Sequence, residues 1–122
     1  MRILLVEPSK RPVLKEIDGS LKSMQEIVGG TIQALYPFEE PVALICNDEG
    51  KLLGLPLNRA LRDSEGRIYD VVAGTFFLCG APEESDSFES LTKEQYLNFY
   101  EYFQKAELFL NLDRNLCCVH LD

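Results

Sequence analysis

The sequence predicts a single α+β domain in which a mainly antiparallel sheet, built from hairpins, carries two principal helices. Three observations predict this class. Apolar runs of strand length recur between turn residues, two segments place apolar residues at helical spacing, and 122 residues suit one hydrophobic core. Hydrophobic residues make up 46% and charged residues 26% of the chain, which excludes wholesale disorder and collagen-like structure. No apolar run approaches the ~20 residues of a membrane-crossing helix. The opening apolar run is too short for a signal peptide, so a soluble, cytoplasmic protein with no membrane partner is expected.

Arg2 to Val6 reads as a strand stopped by Glu7 and Pro8. Pro12 to Ile17 follows as a half-buried strand, close enough to the first to form a hairpin. Asp18, Gly19 and Ser20 offer N-caps for a helix over 20–28, where Leu21, Met24, Ile27 and Val28 share one face and Gly29 closes the end. Thr31 to Tyr36 is a strand broken by the segment from Pro37 to Pro41. Val42 to Cys46 is a strand, Asn47 to Gly50 a turn, and Lys51 to Leu55 the expected return strand. Asp63 to Arg67 repeats the same Glu-Gly-basic pattern and reads as one turn chemistry used twice. Between the two, Pro56 to Arg62 reads as a single helical turn capped by Asn58.

Ile68 to Cys79 is apolar at both parities after Asp70, which predicts one central strand buried on both faces, with a bulge, bend or close approach at Gly74. Gly80 to Ser90 reads as an acidic, flexible connection. A second helix is expected over 92–105. Thr92 and Gln95 have capping-box spacing, Leu91 and Tyr96 that of a hydrophobic staple, and Tyr96, Phe99, Tyr100 and Phe103 form a core-facing stripe. The domain is therefore expected over 1–105, followed by a C-terminal extension over 106–122 that begins apolar and turns mixed.

The formal net charge is -8, unevenly spread. Residues 1–79 hold 11 acids and 9 bases, whereas residues 80–122 hold 9 acids and 3 bases. Such a surface repels phosphate backbones, so direct nucleic-acid binding is not expected. It reads as a solvated acidic exterior, or as one offered to a basic partner, including mimicry of DNA by the acids of 83–107.

Cys46 and Cys79 lie in apolar runs and read as small hydrophobes. Cys117, Cys118 and His120 form one compact triplet without the paired spacing of structural zinc, so no metal and no cofactor is expected. The chain's one histidine is His120, the Gly50-Lys51 pair lacks the surroundings of a phosphate loop, and Gly29-Gly30 precedes a strand. No catalytic set emerges. Asn58, Arg59, Arg62 and Arg67 are the one local concentration of fixed positive charge. They are the candidate binding residues, for an anionic ligand, a hydrolytic site near 56–62, or an acidic partner. The opposing reading pairs them with Asp63, Glu65 and Asp70.

Tyr36 to Asn47, Gly54 to Leu61 and Ala73 to Phe77, together with the first strand and helix, give the chain a resemblance over about residues 1–105. It resembles the uncharacterised family called domain of unknown function 3846. That resemblance implies the company of phages, plasmids and conjugative elements, mainly of Gram-positive bacteria, and no established activity or site residues. The function expected from residues and resemblance together is a non-catalytic accessory factor that binds another protein. Exposed strand edges also allow a homodimer.

Overall fold

The computed structural model describes residues 1–112 and 115–121. In chain order the elements are β1 (Arg2–Val6), β2 (Val13–Glu16), α1 (Leu21–Val28), β3 (Ile32–Leu35), β4 (Val42–Asn47), β5 (Leu57–Arg62), β6 (Ile68–Ala73), β7 (Phe76–Gly80), α2 (Lys93–Phe103), β8 (Ala106–Leu112) and β9 (Asn115–Leu121). A five-stranded sheet runs β2-β1-β7-β4-β3, every pairing antiparallel. Two ribbons, β5-β6 and β8-β9, stand beside it. The α+β class is as the sequence predicts, and no helix among the described residues is long and apolar enough to cross a membrane.

The sheet alternates with period two and is covered on both faces. Leu4, Val6, Val42, Leu44, Phe76 and Leu78 face one core with Leu61 and Val72 of the β5-β6 ribbon and Phe99 and Phe103 of α2. Ile3, Ala43, Ile45, Phe77 and Cys79 face the other, against Met24 and Val28 of α1. This is why β1, β4 and β7 read as continuous apolar runs. Each fully buried Leu, Ile or Phe contributes about 1.5–3 kcal/mol, so these central strands supply the largest hydrophobic share. At the edge, all four residues of β2 are exposed, and Lys15 and Glu16 charge it.

The helix ends follow the sequence signals. Ser20 Oγ accepts from the Ser23 amide, and Gly29, in the left-handed region at φ 77°, closes α1 through a bond to Gln25 O. At α2, Thr92 and Gln95 form the reciprocal capping box. The two related turns also share their chemistry. Asn47 Oδ1 accepts from the Glu49 amide at 2.7 Å, and Asp63 Oδ1 from the Glu65 amide at 2.9 Å.

Three expectations need correction. Lys51 to Leu55 is not a return strand, because local bonds such as Leu53 N to Glu49 O and Leu55 N to Gly50 O hold it as turns. The apolar 68–79 run is two strands. Gly74, at φ 84°, breaks it and sends the chain from the β5-β6 ribbon into the five-stranded sheet. Pro56 to Arg62 is not a helical turn but contains β5, paired with β6 and bulged between Leu57 and Arg59.

Candidate functional site

Two of the candidate residues are inside the protein. Asn58 and Arg59 are both 0% exposed, contrary to the expected surface turn. The strand β5 places them between β1, the 73–76 bend and the end of α2. The Asn58 amide donates to Val6 O and Gly74 O, each at 2.9 Å, and so ties the bend to β1. Its Oδ1 accepts from Arg59 Nη1 at 2.8 Å. Arg59 Nε and Nη2 donate to Phe103 O, Nη2 also to Lys10 O at 2.6 Å, and Nη1 also to Asn58 O.

The Arg59 guanidinium therefore lies among carbonyl oxygens rather than on a carboxylate. Phe103 O belongs to the last turn of α2, where carbonyls lack helical partners and the helix dipole is negative. That turn carries no basic residue of its own, so Arg59 supplies the cation from another strand. Burial pulls the Arg59 pKa down and Glu107 draws it up, but a guanidinium remains charged throughout. This arginine holds structure together and offers nothing to an incoming anion.

Arg62 lies at the far end of β5 and meets Glu107 of β8. Nη1 and Nη2 donate to the two carboxylate oxygens at 3.3 and 3.1 Å, a bidentate fork across 45 residues. The Ala60 amide donates to the same carboxylate at 3.4 Å. Burial alone would raise the Glu107 pKa, but Arg62, Cys118 and Ala60 outweigh it and hold the carboxyl below its usual range. The Cys118 thiol donates to Glu107 Oε2, and His120 Nε2 lies 4.0 Å from that oxygen. Burial and the adjacent carboxylate push Cys118 up to about 11. At neutral pH it is a protonated thiol, the opposite of an activated nucleophile.

Arg62, Glu107 and His120 open onto a cleft of about 490 Å³ that Asp63, Tyr102 and Gln104 help to line. A smaller cleft of about 130 Å³ lies between the turn after β4 and β6, where Lys51 pairs with Asp70. Arg67 belongs to neither and is exposed, paired with Asp63 and Glu65 in its own turn. The four candidate residues are thus not one patch: two are buried, one is half-buried and paired, one is on the surface. The Cys117 side chain lies outside the described residues. Of the acids in 83–107, Glu107 is turned inward and unavailable to any row of surface charges.

The feature that sequence reading passed over is Glu107 beside Cys118 and His120. Alternation on a strand already places Cys118 and His120 on one face. The signal for the third member was an acid opposite them in a hairpin.

The model of the family described as "Domain of unknown function (DUF3846)" matches residues 1–105, and the chain belongs to that family. No curated protein and no solved structure matches the chain.

Proposed function

From that membership, we propose that the protein is a non-catalytic accessory factor of a mobile genetic element that acts by binding another protein. The observation that carries the reading is the fate of the positive cluster. Asn58 and Arg59 are sealed among backbone carbonyls, and Arg62 is locked on Glu107, so the groups best suited to hold a substrate anion serve the fold. The company of phages and plasmids is what the family resemblance implies; a cytoplasmic location is proposed from the sequence's lack of a membrane-length apolar run.

What remains on offer is the exterior. Leu52 and Leu53 project from the turn after β4 with 88% and 57% of their surface in water. Tyr69, 57% exposed, adjoins Asp70, whose pair with Lys51 brings this turn to β6. Aromatic and aliphatic side chains left in water are the material of binding hot spots.

The test is affinity capture from host cells carrying the element, with the native chain and with Leu52→Asp combined with Tyr69→Asp. One protein that co-purifies reproducibly with the native chain and not with the folded variant is the expected result. Absence of any reproducible partner across growth conditions overturns the reading.

A further inference from the structure

We propose that Glu107, Cys118 and His120 form a site for one divalent transition metal of the zinc class, its fourth position taken by water on the cleft side. The inference is independent of the partner-binding reading. It begins with register. In the β8-β9 hairpin Glu107 pairs with His120 and Phe109 with Cys118. Residues two apart on a strand share a face, as do residues directly opposite in an antiparallel pair. Glu107, Cys118 and His120 are consequently on one face of the ribbon, one from each of three adjoining positions.

The donor atoms are gathered accordingly. The carboxylate oxygen, the thiol sulfur and the imidazole nitrogen lie within 4.8 Å of one another. A tetrahedral zinc with bonds of about 2.0–2.3 Å needs its ligands roughly 3.3–3.8 Å apart. Forming the site takes shifts of about an ångström: the short Cys118 Sγ–Glu107 Oε2 contact widens as its proton leaves, and the His120 side chain, 49% exposed, moves in from 4.0 Å.

The donor set is that of zinc: one borderline nitrogen, one soft sulfur and one carboxylate, with water completing four. On binding, the metal–sulfur bond replaces the Cys118 S–H bond and the proton leaves to solvent. The carboxylate is also held by neighbours outside the ligand set. The Ala60 amide and the Arg62 fork orient Glu107, as outer-shell partners of a ligating carboxylate do. Arg62 Nη2 also donates to Cys118 Sγ at 3.5 Å, so an incoming metal displaces that one contact while Nη1 keeps its hold on Oε1. One cation in place would tie β9 to β8 and, through Glu107, to β5.

The experiment adds Zn²⁺ alone, and separately Co²⁺ alone, to the full, untagged chain. The expected result is saturable uptake of one ion per chain, a rise in thermal midpoint with zinc, and for cobalt a thiolate charge-transfer band with tetrahedral visible absorption. Cys118→Ser and His120→Ala should each weaken binding by more than the ~10–100-fold that losing an outer-shell partner costs. Cys117→Ser should leave it unchanged. Because His120 is half in water, its variant retains the fold even if a Glu107 variant does not. Failure to take up one ion per chain, a cobalt spectrum without thiolate, or binding that survives both ligand substitutions overturns the proposal.

Discussion

Arg59 grips Phe103 by one carbonyl oxygen, which accepts from Nε at 3.2 Å and from Nη2 at 3.1 Å across 44 residues. The same guanidinium reaches Lys10 O between β1 and β2, so one side chain joins three separate parts of the chain. Replacing it strands several buried acceptors at about 1–3 kcal/mol each. Arg59→Met should destabilise the protein by about 3–5 kcal/mol, seen as a lower urea midpoint. Arg59→Lys should recover only a part, because a single ammonium cannot reproduce the planar fork. A loss below about 1 kcal/mol for Arg59→Met would show that the carbonyls find other donors.

The Arg62–Glu107 pair makes a second prediction, measured with a chelator present. Arg62→Met leaves a carboxylate whose side chain is 4% exposed without its cation, and should cost about 3 kcal/mol or more. Adding Glu107→Leu removes the orphaned charge. The double variant should therefore be more stable than Arg62→Met alone, a coupling that additive effects would not give.

Alkaline pH supplies a third. Burial pushes Cys46 up to about 11 and Cys79 up to about 12, from 9.0. Both thiols are held neutral by the fold and ionise more readily when unfolded. Their contribution to stability is whole below pH 9, and it is lost as pH rises from there through the folded values. Between pH 9 and pH 10 the loss is about 1 kcal/mol per thiol. Urea titrations of the native chain and of Cys46→Ala with Cys79→Ala should diverge by roughly that amount per thiol. Parallel pH profiles would contradict it.

The central strand β4 was legible because burial on both faces leaves Val42 to Cys46 without a polar residue, and the same burial marked Phe76 to Cys79 as strand while hiding its separation from β6 at Gly74. The helices were legible from caps, since Ser20 and Thr92 act through neighbours three residues away. The strand β5 was not. Asn58 looks like the cap of a helical turn, and with Arg59 it has the polarity of a loop although both are buried. The partners of the strand's two arginines, Phe103 O and Lys10 O for Arg59 and Glu107 for Arg62, lie 44 or more residues away, beyond any local pattern. The proposed metal cluster was not legible: Cys118 and His120 are neighbours in sequence, but without the acid from the preceding strand their spacing argues against a metal.

Ligand-dependent thermal stability, measured with a chelator present against phosphate, nucleotides and small dicarboxylates, tests most directly whether this polypeptide acts by display rather than by chemistry on a captured anion. A ligand that binds the folded state at a hundred times its Kd stabilises it by about 2.7 kcal/mol, an easily visible shift. The account predicts an unchanged midpoint for the native chain with every compound. A saturable rise that Arg62→Gln abolishes would contradict it.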